Sequence, residues 1–158
     1  MCHYTTYYTS AMSLAEKSGT DLIQRLKSRG WRLSAQRRVV ADVLKGEHVH
    51  LTADEIFVLA QARLEEISQA TVYNTLRELV AMGEVRVVTA EDGVKRYDPN
   101  VVMNHHHLLC TRCQLLKDVY PLGEDGVILP ESERFGFDVF SFEIIFKGVC
   151  PNCRHLSP

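Results

Sequence analysis

The stretch Ser68–Asp98, SQATVYNTLRELVAMGEVRVVTAEDGVKRYD, changes its period half-way along, and that change decides the fold. In the first half Val72, Leu76, Leu79 and Val80 fall at i, i+4, i+7 and i+8, one stripe of an α-helix. Ser68 stands where an N-cap belongs and Gly83 where such a helix ends. The second half gives two short β-type runs around Asp92-Gly93, a hairpin turn signal. With the stripe turned to a core, the other face presents Gln69, Thr71, Tyr73, Asn74, Arg77 and Glu78. Asn and Arg can make bidentate contacts to base edges, and Tyr and Thr can hold phosphate.

Three further helices are expected upstream. Thr52-Ala-Asp-Glu55 is a capping box opening a helix through Ile56, Phe57, Ala60 and Leu64, joined to the next by the short connection EEIS. Ser34 caps Val39, Val40, Val43 and Leu44, while Asp21–Arg29 carries Leu22, Ile23 and Leu26 and stops at Gly30. Helices followed by a two-stranded ribbon are the layout of a winged helix-turn-helix. Between Leu22 and Ala41 stand six basic residues (Arg25, Lys27, Arg29, Arg32, Arg37, Arg38) and no acidic one, which a helix seated in the major groove would bring near backbone phosphates. The alternative is an ordinary helical domain with a solvated polar face.

The chain has 158 residues, 46% apolar, enough for one domain or two small ones, and a net charge of −2. After Tyr97 five Lys or Arg face eight Asp or Glu, so a basic N-terminal part precedes an acidic C-terminal part. No apolar run approaches the ~20 residues of a membrane span. Residues 1–20 lack the pattern of a signal peptide and are expected to form a disordered leader, with Met12 an alternative start. That predicts a cytoplasmic protein, in which five cysteines point to metal or redox chemistry before disulfides.

Cys110-x-x-Cys113 and Cys150-x-x-Cys153 supply four thiolates, a set that suits a closed, structural, tetrahedral Zn2+ site. A thioredoxin-like redox pair is the alternative. Between the pairs, HHLLC, LLKDVY and the aromatic run from Phe137 to Phe146 fit short strands and a loop. On a strand, His105 and His107 share one face while His106 takes the other. Two imidazoles on one face are half of a metal site, which the nearby carboxylates Asp98 and Asp118 could complete. Such nitrogen and oxygen donors suit Fe(II) or Mn(II). The other reading is a solvated strand edge.

From about Asp21 to Cys153 the sequence resembles the ferric uptake regulator family of metal-dependent bacterial repressors. The resemblance rests on RLSAQRRVVADVL, HLTADEIF, SQATVYNTLRELVAMGEV, RYD, HHHLLCTRC and GVCPNC, in that order. It implies an α+β fold and a homodimer: a winged-helix DNA-binding domain over 21–98, then a small α/β dimerisation domain with the four-cysteine zinc over 99–158. It assigns zinc to Cys110, Cys113, Cys150 and Cys153. It assigns regulatory Fe2+ or Mn2+ to His50, Asp98, His105, His107 and Asp118, leaving out His48. An ion held by both domains would favour the DNA-competent geometry by binding it more tightly. The candidates for operator contact are Tyr73, Asn74 and Arg77, with Arg37 for phosphate.

Within that resemblance Asp118 points to the peroxide-responsive subgroup, in which Fe(II)-dependent oxidation of His50 or His105 releases the DNA. A plain iron, zinc or nickel sensor is the alternative. Two histidines with a carboxylate also match a non-haem iron oxygenase, but no substrate-pocket signature accompanies them, and enzyme activity is not expected. Phe142 stands where some members carry a histidine of a third site, so that site is expected to be missing. Gly126 and Pro130 make GEDGVILPESERFG poor for the helix usual in the dimerisation domain.

Overall fold

The computed structural model describes residues 21–46, 49–101, 105–120, 129–140 and 142–155. The proposed leader and His48 lie outside these residues. The helices are α1 Leu22–Ser28, α2 Ala35–Val43, α3 Ala53–Gln61, α4 Gln69–Ala81 and α5 Pro151–His155. The strands are β1 Leu51–Thr52, β2 Arg86–Thr89, β3 Lys95–Asp98, β4 His106–Cys110, β5 Leu116–Val119 and β6 Ile145–Gly148. No helix among the described residues is long and apolar enough to cross a membrane.

The first four helices start where their capping residues stand. Asp21, Ser34 and Ser68 each accept a hydrogen bond from a backbone N–H of the first turn, and Thr52 and Glu55 complete the capping box in both directions. Gly30 and Gly83, at φ +69° and +70°, take the left-handed conformation that ends α1 and α4. Leu26, Val40, Leu44, Ile56, Ala60, Val72, Leu76 and Leu79 are fully buried in one core. The predicted stripes are thus the packed faces.

β2 and β3 form the hairpin expected around Asp92-Gly93, and Arg96 holds Asp92 at 2.8 Å across the turn. The short β1 adds a third strand, in the order β1-β3-β2. The register pairs Leu51 with Tyr97, so the next step sets His50 beside Asp98. A second sheet runs β5-β4-β6, with β4 antiparallel to β5 and parallel to β6. In it His107 stands opposite Asp118.

The hairpin lies against this second sheet. Val88 and Ala90 pack on Leu109 and Leu116, and Lys147 Nζ reaches Glu91 Oε1 at 2.5 Å. Within the aromatic run from Phe137 to Phe146 the short strand lies at the end, β6 beginning at Ile145. Pairing starts where the edge of β4 is available. Phe137, Phe140 and Phe142 lie before it, exposed. Around Pro130 a single 3-10 turn, Glu131–Glu133, stands where the resemblance would have a helix. Residues 121–128 lie outside the description.

Candidate metal centre

The four cysteines converge from two stretches of chain, 110–113 and 150–153. Cys110 ends β4, Cys113 follows on the turn, Cys150 follows β6 and Cys153 sits in α5; their sulfurs all lie within 4.8 Å of one another. Gln114, at φ 60°, closes the turn, its N–H donating to the Cys110 carbonyl at 2.9 Å. Cys113 Sγ and Cys150 Sγ are 3.8 Å apart. That matches the ~3.8 Å edge of a tetrahedron with Zn–S bonds of ~2.3 Å. Backbone N–H groups of Cys113 and Cys150 draw the Cys110 thiol down to about 6, while the side chains of Cys113 and Cys150 push Cys153 up to about 12. Cys110 therefore ionises readily, whereas Cys153 would need a cation beside it to do so.

The second cluster is built by the strand registers. His50 and Asp98 come from β1–β3, His107 and Asp118 from β4–β5, and His105 directly precedes β4. One donor atom from each of His50, Asp98, His105 and His107 falls in a group within 4.8 Å, and all four residues are buried. Asp118 adjoins them, its Oδ1 3.0 Å from His50 Nε2 and 3.8 Å from His105 Nε2. Asp98 Oδ2 lies 3.0 Å from His105 Nε2 and 3.9 Å from His107 Nε2. Three imidazoles thus turn the same nitrogen toward two carboxylates.

The ring nitrogens of His50 and His107 find no hydrogen-bond geometry among the described residues, although carboxylate oxygens are close. Donors aimed at a shared point rather than at one another fit an ion between them. Burial, with His50 close by, pushes the His107 imidazole below its ordinary value, toward the neutral form a metal needs. Burial alone would raise Asp118, but the His50 imidazole and the Asn100 amide outweigh it and hold the carboxyl at about 2. His106 takes the opposite face, where its Nδ1 accepts from Ile144 N–H at 3.3 Å and its ring lies 5.4 Å from that of Phe142.

Residues 28–141 match the model of the ferric uptake regulator family. The chain belongs to that family. It is 34% identical over 138 residues to ferric uptake regulation protein 1 of Mycolicibacterium fortuitum, covering 87% of this chain and 85% of that one. It is 35% identical over 140 residues to the peroxide-responsive repressor PerR of Staphylococcus aureus, covering 85% and 90%. Among solved structures, the ferric uptake regulator of Francisella tularensis with iron matches at a TM-score of 0.67 and 22% identity, covering 79% of this chain and 96% of that one. A zinc-bound manganese uptake regulator matches at 0.66 and 24%, covering 82% and 98%. As a member of the family the chain is a metal-responsive transcriptional regulator, and such regulators are not enzymes.

The polar face of α4 is only partly open. Tyr73, Asn74 and Arg77 are exposed on it. Tyr73 Oη and Gln69 Nε2 both donate to Asp54 Oδ1 at 3.1 Å, which fixes α4 against α3. Glu78 is turned back, accepting from Arg37 Nη2 at 2.7 Å and Trp31 Nε1 at 3.2 Å, and the Arg37 guanidinium lies 4.7 Å from the Trp31 ring centre. A phosphate at Arg37 would therefore compete with Glu78. The basic stretch is likewise partly internal. Arg25 and Arg29 hold the buried Glu84 at 2.7 and 2.8 Å, which leaves Lys27, Arg32 and Arg38 exposed with no ion pair among the described residues.

Three site residues carried no signal in the sequence. Asn100 donates to Asp118 Oδ2 from its side chain and to Asp98 Oδ1 from its backbone N–H, both at 2.7 Å. Glu143 Oε1 lies 2.7 Å from His107 Nδ1. Arg25 Nη2 donates to the Pro99 carbonyl at 3.0 Å, next to Asp98.

Proposed function

We propose that this chain is a homodimeric repressor that binds a DNA operator when its buried His/Asp site holds Fe(II) or Mn(II), and lets go when peroxide oxidises His50 or His105. The observation that supports this most is the composition of that site: three imidazoles and two short carboxylates, drawn from both sides of residue 98. In this reading residues 21–98 are the DNA-binding module and 99–158 the dimerisation module. Cys110, Cys113, Cys150 and Cys153 hold zinc.

Fe(II) held by these residues would relay to the peroxide O–O bond the two electrons that the imidazole gives up, and would end as Fe(II). The net change is one oxygen atom gained by an imidazole and one water released from the peroxide. An oxidised imidazole is a poorer donor, so the tie between the hairpin and the second sheet weakens. Exposed Tyr73, Asn74 and Arg77 are the side chains offered to the major groove. Exposed Phe137, Phe140 and Phe142 are the surface offered to a second copy.

A plain metal sensor using the same residues is the second reading, favoured by the similarity to a ferric uptake regulation protein at 34% identity. Selection from a random duplex library with and without Mn(II) tests the shared part: retained duplexes should appear only with the metal. With a selected duplex, Asp118→Glu separates the two readings. It should keep Mn(II)-dependent binding and slow peroxide-driven release from the Fe(II) form. Release as fast as in the parent would remove Asp118 from the argument for peroxide sensing.

A further inference from the structure

The outward side of α4 is divided between side chains that are held and side chains that are not. Gln69 and Tyr73, one helical turn apart, donate to the same oxygen, Asp54 Oδ1, each at 3.1 Å. Asn74 and Arg77, also exposed, make no side-chain hydrogen bond or ion pair among the described residues. Asp54 stands in the first turn of α3, exposed like its two partners. One carboxylate of the neighbouring helix thus sets two of the side chains that α4 presents.

The chemistry of that hold decides what the two can still do. An ionised carboxylate only accepts, so it takes the Nε2 end of Gln69 and the hydroxyl proton of Tyr73. A DNA phosphate also only accepts. With its one proton committed, Tyr73 has nothing to donate to phosphate, and the charge of Asp54 repels the backbone. What Gln69 and Tyr73 keep in common is an acceptor oxygen. In the major groove its matching donors are the exocyclic amino groups of adenine and cytosine. We propose that Asp54 is a positioning residue for operator recognition: it withholds the Tyr73 hydroxyl from phosphate and leaves the acceptor oxygens of Tyr73 and Gln69 to amino-bearing bases. This rests on the DNA-binding reading above. Without Asp54, the Tyr73 proton is available to the backbone of any sequence, so affinity rises everywhere and discrimination falls.

The test uses full-length, zinc-loaded protein with Mn(II), a selected duplex and a scrambled duplex of the same length, at one salt concentration. The readout is the ratio of the two affinities, with thermal melting recorded in parallel. Asp54→Ala should lower that ratio by ~5-fold, mainly through tighter binding of the scrambled duplex. Asp54→Asn drops the charge but keeps an acceptor oxygen. It should tighten both duplexes alike and keep the ratio within ~2-fold of the parent. On a Tyr73→Phe background, which has no hydroxyl to release, Asp54→Ala should change the ratio less than half as much. If Asp54→Ala does not fold, Asp54→Ser, whose oxygen stops short of both partners, carries the same expectation.

An unchanged ratio in the alanine or serine variant would overturn the proposal. So would a ratio that falls as far in Asp54→Asn as in Asp54→Ala, since charge and not position would then be the cause. A parent protein that retains no duplex with Mn(II) would overturn the DNA-binding reading itself, and this inference with it.

Discussion

Replacing Glu84 by alanine removes the carboxylate shared by Arg25 of α1 and by Arg29, which caps its end. Glu84 is 2% exposed, and the partners differ: Arg25 is 14% exposed and Arg29 57%. Breaking a buried pair by deleting one member costs about 3–5 kcal/mol, because the other charge stays behind without it. Arg25 still has the carbonyls of residue 84 and Pro99 to donate to, which sets the expectation near the lower end, about 3 kcal/mol. For a chain of this size that lowers the melting temperature by about 6–12 °C. Arg29→Ala removes an exposed partner and should stay within about 1 kcal/mol. The assay is thermal denaturation of the zinc-loaded protein at one fixed concentration, followed by Mn(II) titration. Because Arg25 also holds Pro99, beside Asp98, Glu84→Ala should weaken Mn(II) binding while Arg29→Ala leaves it unchanged. Equal losses from the two variants, or a loss below about 1 kcal/mol for Glu84→Ala, would refute the reasoning.

Three other expectations follow from the same structure. Cys113→Ser should lose zinc and unfold the β4–β6 sheet, since structural zinc contributes on the order of 10 kcal/mol; a variant that elutes as the native dimer with one zinc per chain would contradict this. Arg77→Ala should weaken binding to a selected duplex by about 1–3 kcal/mol with zinc and dimerisation intact, and Arg37→Ala should instead act mainly on stability through Glu78 and Trp31, as separate binding and melting curves would show. Without regulatory metal, stability should fall as pH drops below 6.5, because the unfolded chain takes up a proton on residue 107 before the folded one does, burial having lowered the folded value. His107→Gln should flatten that part of the profile, and a profile as steep as the parent's would exclude His107 as its source.

Much of this fold was legible because its signals are local. Each helix start has a side chain that caps it, and each stripe is a period within a dozen residues, so Ser34, Thr52 and Ser68 could be placed without knowledge of the rest. The cysteine pairs were legible for the same reason, a fixed short spacing. His50 was not. Nothing near it in sequence marks it as a ligand, and it reaches Asp98 only through the two-residue strand β1, whose pairing with β3 no local pattern announces. The resemblance supplied it, and the register explains it. Glu78, Arg25 and Arg37 were legible only in part. On helical faces they read as solvated or DNA-facing, and no local pattern announces the partners 41 to 59 positions away in sequence that they also hold. Asn100 stayed hidden because an asparagine after a proline reads as a turn, and its hydrogen bonds go to two carboxylates that only the sheets bring together. Where β6 starts within the aromatic run was not legible, because strand-forming side chains do not make a strand where no edge is on offer.

The central claim is that His50 and His105 are ligands whose oxidation ends repression. Its most direct test is peptide mass spectrometry after brief peroxide exposure of the Fe(II)-loaded protein beside a Mn(II)-loaded control. The tryptic peptide Gly46–Arg63 contains His50 and His48 but no Met, Cys or Trp, so an added oxygen there is assigned by fragmentation between two histidines. The peptide Tyr97–Arg112 also holds Met103 and Cys110, and fragment ions must place the oxygen on His105. The account predicts one added oxygen on His50 or His105 in the Fe(II) sample and none in the Mn(II) sample. Unmodified histidines in both samples, with DNA binding still dependent on metal, would contradict it and leave a sensor of the metal alone.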